Sequence, residues 1–188
     1  MNRSLEKIIF IDRDGVINHD PIGDYIKTWA DFRFCDGVLE ALAQLTQYGF
    51  KIVIVSNQAG IGDGVYPKSE LKEITQKMIA EIERHGAKVE KIYYCLHGKQ
   101  AHCNCRKPKT GLFEQAAKDY SFEKNKTYLI GDKLTDIEAG KRFGLKTIMV
   151  MTGHGKLDKP RITEASKPDL MFENLQSAVH YLMNAEPH

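Results

Sequence analysis

The chain has 188 residues, 42% of them hydrophobic, and carries 27 Lys and Arg against 25 Asp and Glu. That length suits a single domain able to bury about 70% of its unfolded surface. A net charge of +2 gives no global case for a nucleic-acid or anionic-membrane partner. No run approaches the roughly 18 apolar residues of a membrane span, and residues 1 to 6 hold no stretch resembling a signal peptide, so the expectation is a cytoplasmic monomer acting on a small molecule.

Ile8-Ile9-Phe10-Ile11 predicts a strand buried on both faces, and it ends abruptly in Asp12-Arg13-Asp14-Gly15. If the extended backbone runs on, Asp12 and Asp14 project to one side and Arg13 to the other. Two like charges so placed call for a cation, and Mg²⁺ with oxygen ligands would let Asp12 attack phosphorus while Asp14 shuttles the proton. Taken alone, the same residues also suit a simple turn after a strand. The polar loop from His19 to Asp31, which includes Asp20 and Tyr25, emerges beside the pair and is either a substrate contact or a surface connection.

Val38, Leu39, Leu42 and Leu45 follow helical spacing as far as Gly49. Lys51 to Val55 is a second strand, running out into Ser56-Asn57-Gln58 and a glycine-rich stretch. A hydroxyl, an amide and free N–H groups suit phosphate oxygens, although a helix cap uses the same residues. Pro67 opens a helix with the stripe Leu71, Ile74, Met78, Ile79 and Ile82, closing at Gly86. Val89 to Tyr94 is a third strand, Thr110 to Tyr120 a helix and Thr127 to Ile130 a fourth strand. Gly131-Asp132-Lys133-Leu134-Thr135-Asp136 then leads into a short helix ending at Gly144. Lys146 to Met151 is a fifth strand, Thr152 to Lys156 a mobile-loop candidate, Asp169 to Phe172 an edge strand and Leu175 to Met183 the last helix. Strands alternating with helices predict an α/β fold, a mainly parallel sheet covered on both faces, with ligands gathering at the carboxyl ends of its strands.

Cys95-x-His97 and Cys103-x-Cys105 supply four ligands of the kind tetrahedral Zn²⁺ takes, and a closed set of four suggests a structural site. His102 is the alternative to His97. Stapled by zinc, the loop fixes where the next residues, Arg106 and Lys107, point; Lys107 can neutralise Asp12 and a phosphoryl group, while the planar guanidinium of Arg106 suits a second phosphate or a hydroxyl.

Asp12-Arg13-Asp14-Gly15, Ser56-Asn57, Lys107 and Gly131-Asp132-x-x-x-Asp136, in that order, resemble the phosphatases of the haloacid dehalogenase (HAD) superfamily. With Ser-Asn-Gln-Ala-Gly-Ile and the Cys-x-His…Cys-x-Cys-Arg-Lys-Pro run, the chain from about residue 7 to 180 resembles their zinc-containing subgroup. That subgroup comprises D-glycero-D-manno-heptose 1,7-bisphosphate 7-phosphatases and histidinol-phosphate phosphatases. The resemblance implies a capless, Rossmann-like HAD fold in one domain, 1–188, with a zinc loop at 95–105. It implies Asp12 as nucleophile, Asp14 as general acid then base, and Ser56 and Lys107 as phosphoryl stabilisers. Mg²⁺ would be bound by Asp12, Asp132 and the backbone carbonyl of Asp14, with Asp136 in support. Substrate contacts are expected from Asp20, Tyr25, Asn57, Gln58, Arg106 and Lys133.

The five residues between His97 and Cys103 look more like the histidinol-phosphate enzymes, whereas Asn18, the Asp20 to Tyr25 loop, Lys133 and Thr152-Gly153 look closer to the heptose enzymes. The latter positions are more numerous, and Arg106 with Lys133 suits a second anionic group. The expected substrate is therefore heptose bisphosphate, on the route to nucleotide-activated heptose for lipopolysaccharide. Two other classes compete: a receiver domain, which needs an acceptor Asp where residues 51 to 58 offer Ser-Asn-Gln, and a zinc-dependent nucleic-acid module, which needs a basic face.

Overall fold

Ile8–Ile11 forms β1, a strand with every residue buried. In this computed structural model, which describes residues 4–185, β1 lies inside a sheet of six parallel strands. The first three residues of the polar opening, and both ends of the expected 1–188 domain, lie outside the described residues. The other strands are β2 (Lys51–Asn57), β3 (Val89–Cys95), β4 (Tyr128–Gly131), β5 (Lys146–Val150) and β6 (Leu170–Phe172). The helices are α1 (Val38–Gln47), α2 (Ala59–Gly62), α3 (Lys68–Arg84), α4 (Gly111–Asp119), α5 (Leu134–Phe143), α6 (Gly155–Asp158) and α7 (Leu175–Ala185).

Alternation along β1 assigns the two faces of the sheet. Ile9 and Ile11 pack with Leu42 and Leu45 of α1, Ile74, Met78 and Ile82 of α3, and Val179 and Leu182 of α7. Ile8 and Phe10 pack with Leu112, Phe113 and Ala116 of α4 and with Ala139 and Phe143 of α5. Phe10 meets the edge of Phe113 at 5.2 Å between ring centroids. A sheet apolar on both faces has to be covered on both, which accounts for the near-continuous apolar strands seen in the sequence.

The strand order is β3-β2-β1-β4-β5-β6. The chain winds outward from β1 through β2 to β3, then crosses back to place β4 on the other side of β1. The reversal opens a crevice at the carboxyl ends of β1 and β4, where α/β sheets hold ligands. Asp12 stands at the end of β1 and Asp132 at the end of β4. The interval from β1 to β2 holds a long connection (residues 12–37) and α1, and that from β2 to β3 holds α2 and α3, with no inserted folding unit, as a capless architecture requires.

Three local features depart from the sequence reading. The glycine-rich stretch after β2 turns into the short α2, and Thr152 to Lys156, expected as a mobile loop, runs into α6 and is hydrogen-bonded to the crevice. Arg13 does not point away from Asp14. β1 stops at Ile11, and the carbonyl of Arg13 accepts from the N–H groups of Ile17 and Asn18. The backbone is therefore turning by Arg13, which brings its guanidinium back onto the Asp14 carboxylate.

Candidate active site

The centre of the crevice is Lys107, 3% exposed. Its ammonium lies 2.7 Å from Asp12 Oδ1 and 2.6 Å from Asp136 Oδ1, and donates to the Val55 carbonyl at 2.8 Å. An ammonium has three N–H donors, and here each finds an oxygen. Burial pulls the Lys107 amine down, but Asp12 and Asp136 outweigh it and hold the group charged. Burial pushes the Asp12 carboxyl up, Lys107 lowers it and Asp136 raises it again, leaving it at about 6. Lys107 reaches this position because Asn57, at the end of β2, clamps its peptide: the Lys107 N–H donates to Asn57 Oδ1 at 3.0 Å, and Asn57 Nδ2 donates to the Lys107 carbonyl at 3.1 Å.

Asp14 stands to one side. Its Oδ1 accepts from Arg13 Nη2 at 2.7 Å and from Asn18 Nδ2 at 3.0 Å, and its Oδ2 accepts from Gln58 Nε2 at 2.7 Å. Burial pushes this carboxyl up, but the Arg13 guanidinium with the Asn18 and Gln58 amides holds it below the usual carboxylate range. Gln58 is 2% exposed and its amide is fully engaged, since Nε2 also donates to Ser56 Oγ at 2.9 Å while Oε1 accepts from Tyr66 at 2.7 Å. Asn57 and Gln58, expected to touch substrate, thus hold Lys107, Asp14 and Ser56 in place.

Asp132 is fully buried. Its Oδ2 accepts from the His154 N–H at 2.7 Å, and its Oδ1 has no hydrogen-bond partner among the described residues. A buried carboxylate oxygen left bare is costly unless a cation meets it. Burial pushes the Asp132 carboxyl well up, with Asp12 and Asp136 adding to the shift against Lys133. Asp12, Asp132 and Asp136 bring ligand oxygens within 4.8 Å of one another. Asp136 is already bound to Lys107 and, through Oδ2, to the Lys133 N–H that it caps at 3.1 Å. Asp12 and Asp132 remain for a hard cation, and the donor set fits Mg²⁺. The space is made by glycine: a Cβ on Gly15 (φ +90°) or Gly153 (φ +51°) would stand 2.1 or 2.2 Å from Asp132 Oδ2. Thr152 Oγ1 ties the two loops by donating to the Gly15 carbonyl.

Beside the crevice, Cys95, His97, Cys103 and Cys105 also bring four ligand atoms within 4.8 Å of one another. His97 Nδ1 faces the Cys105 and Cys95 sulfurs at 3.2 and 3.7 Å, so His97, not His102, completes the set. Four soft or borderline ligands converging without a fifth suit a structural Zn²⁺. The cluster is fastened to the crevice where Gln58 N–H donates to the Cys95 carbonyl at 2.8 Å, and its chain runs directly into Arg106, whose buried Nη1 is unpartnered among the described residues. A cleft of about 490 Å³ is lined by His19, Asp20, Tyr25, Lys27 and Arg33 among others. Asp20 joins it to the centre by accepting from Lys133 Nζ at 2.7 Å. The Tyr25 ring lies 5.4 Å from Lys99 Nζ at the rim.

A HAD-hydrolase-like family model matches residues 104–178. The chain is 38% identical over 186 residues to a D-glycero-β-D-manno-heptose-1,7-bisphosphate 7-phosphatase of Haemophilus ducreyi, covering 94% of this chain and 98% of the relative. This chain belongs to the heptose-bisphosphate phosphatase family of HAD-like hydrolases. It is also 34% identical over 184 residues to the enzyme of that name from Neisseria meningitidis serogroup A, covering 96% and 98% of the two chains. The crystal structure of D,D-heptose 1,7-bisphosphate phosphatase from B. bronchiseptica, complexed with magnesium and phosphate, superposes with a TM-score of 0.90 at 30% identity, covering 96% of this chain and 99% of that one. Membership in this family sets aside the receiver-domain and nucleic-acid-module readings as descriptions of the fold.

Within the heptose-bisphosphate phosphatase family, the carboxylates, Ser56 and Lys107 were readable from their motifs. His154 and Tyr66 were not, because each acts through a fold contact from outside the motif it serves, and the inward turn of Arg13 was not, because it depends on β1 ending at Ile11. Thr152-Gly153 after a predicted strand was the one usable signal for the third loop.

Proposed function

We infer that the chain is a Mg²⁺-dependent phosphatase that removes the 7-phosphate of D-glycero-D-manno-heptose 1,7-bisphosphate through an aspartyl-phosphate on Asp12. The observation that carries the reading is the Lys107 ammonium seated between Asp12 and Asp136, next to a buried, bare Asp132 oxygen. A nucleophilic carboxylate, a permanent cation and a hard-metal position converge there on the space of one phosphoryl group.

Bound Mg²⁺ would be held by Asp12 and Asp132 with the Asp14 carbonyl, and would supply charge neutralisation for phosphoryl oxygens. The rest is done by the chain. The free oxygen of Asp12 attacks phosphorus while Lys107 holds its partner oxygen fixed. Ser56 donates its hydroxyl to an equatorial oxygen, because Gln58 already donates to Ser56 Oγ and leaves the hydroxyl hydrogen unspent. Asp14, which the Arg13, Asn18 and Gln58 donors hold ionised, has to exchange the Arg13 contact for a proton before it protonates the leaving alkoxide, and it then takes a proton from the water that opens the aspartyl-phosphate. Arg106 and Lys133 receive the second anionic group. Zn²⁺ on Cys95, His97, Cys103 and Cys105 is scaffold for Arg106 and Lys107. We further take the chain to work as a single domain and as a monomer, since its own helices cover both sheet faces. A cytoplasmic setting, which keeps the three thiols reduced for zinc, is part of the same reading.

The test is phosphate release with Mg²⁺, comparing kcat/KM for both anomers of heptose 1,7-bisphosphate with that for histidinol phosphate. The expected preference is at least a hundredfold for a bisphosphate, equivalent to about 2.7 kcal/mol of differential transition-state binding. A preference for histidinol phosphate would make the short zinc loop the better guide to substrate.

A further inference from the structure

Asp20 presents a difficulty for an enzyme of phosphorylated substrates. Its carboxylate lines the cleft and is only 9% exposed in its side chain, where its charge would repel an incoming phosphate unless it is spent on cations. It is spent on two. Asp20 Oδ2 lies 2.7 Å from Lys133 Nζ and 3.2 Å from His154 Nε2. The three residues come from three different loops: Asp20 follows β1, Lys133 follows β4 and His154 follows β5. His154 is itself anchored at the reaction centre, because its backbone N–H donates to Asp132 Oδ2. A continuous set of contacts therefore runs from the carboxylate expected to hold Mg²⁺, through the His154 backbone and ring, to Asp20, and from Asp20 to the Lys133 amine.

We propose that Asp20 is a positioning residue, braced by His154, that fixes the Lys133 amine where it meets the anionic group of the substrate that is not transferred. This rests on the reading of the chain as a bisphosphate phosphatase. Lys133 is suited to the task. Its side chain is about a third exposed (31%), and one of its three N–H donors goes to Asp20, which leaves the others for a ligand. A flexible four-carbon lysine stem loses much of its freedom when it binds. A fixed counter-charge removes part of that cost in advance. The role is indirect: Asp20 touches the lysine and the histidine, and Lys133 touches the substrate.

The experiment measures kcat and KM of wild type, Asp20→Asn, His154→Gln, Lys133→Met and the double variant Asp20→Asn/Lys133→Met. The substrates are heptose 1,7-bisphosphate and heptose 7-phosphate, which lacks the second anionic group. Asp20→Asn is nearly isosteric on a loop, and thermal melting checks that each variant is folded. The expected result is that Asp20→Asn lowers kcat/KM for the bisphosphate at least tenfold more than for the monophosphate, chiefly through KM. His154→Gln should do the same more weakly, and Asp20→Asn should add little once Lys133 is Met, because two residues that act as a unit are not additive. Equal losses on both substrates, or a full additional loss in the double variant, would overturn the positioning role. If wild type itself shows no advantage for the bisphosphate, the functional reading fails first and takes the proposal with it.

Discussion

Lys107 carries a charge balance that the protein cannot maintain piecemeal. Removing one member of a buried ion pair leaves the other uncompensated and typically costs about 3–5 kcal/mol, and Lys107 faces two carboxylates. Lys107→Ala is therefore expected to destabilise the metal-free protein by about that amount in urea unfolding, and to lose less of its stability when Mg²⁺ is present to meet Asp12. An equal loss with and without Mg²⁺ would separate Lys107 from the metal position. The raised Asp12 carboxyl gives a pH prediction whose sign is fixed. A carboxyl at about 6 in the folded chain, against 3.8 when unperturbed, binds its proton more tightly folded than unfolded. Stability of the metal-free protein thus falls as pH rises through that window. Mg²⁺ has to displace the same proton, so the rise in Tm on adding Mg²⁺ should be larger at pH 7.5 than at pH 5, and equal rises at the two pH values would refute the coupling.

At the scale of elements, the loops at the strand ends lock one another together. The loop that carries the Cys/His cluster leads into Lys107, and the β2 end receives it through the two hydrogen bonds of Asn57. Asn57→Ala is expected to lower kcat tenfold or more while zinc content stays that of wild type, whereas Cys105→Ser should lower both zinc content and kcat. If Asn57→Ala keeps full turnover, zinc alone positions Lys107. The strands were legible because an apolar run that stops at a carboxylate or hydroxyl is a strong pattern; β1, β2 and β4 each end that way. The connections were harder to read. α2 contains two glycines in four residues, so propensity argues against it and only packing makes it. Thr152 to Lys156 looked free because two glycines promise mobility, yet Gly153 is there to let the loop approach Asp132. Arg13 was misread because side-chain alternation was carried past the last residue of β1.

Across the whole molecule, the switch in strand order sets Asp12 and Asp132 side by side, and with no folding unit inserted between the described strands the crevice is bordered by the loops at their ends. That placement depends on both covering layers. Phe113, wedged between Phe10 and Phe143, is a sensitive point in one of them, and Phe113→Ala should cost about 3–5 kcal/mol in urea unfolding. The order of the motifs made the fold, the convergent carboxylates and the Cys/His cluster readable. Asn57, Gln58 and Asp20 are expected as substrate contacts, and the structure shows them also bonded to other residues of the site: Asn57 to Lys107, Gln58 to Asp14 and Ser56, and Asp20 to Lys133. Residue type and position along the chain do not say whether an amide faces a ligand or a neighbour.

The proposed turnover depends above all on Asp12 carrying the phosphoryl group. The most direct measurement is rapid acid quench of the enzyme turning over heptose 1,7-bisphosphate with Mg²⁺, followed by mass spectrometry of the peptide that contains Asp12. A phosphoryl adduct on Asp12 is expected in wild type and none in Asp12→Asn, which should remain folded and bind zinc but release no phosphate. Steady turnover with no adduct on that peptide, or an Asp12→Asn variant that still turns over, would contradict it.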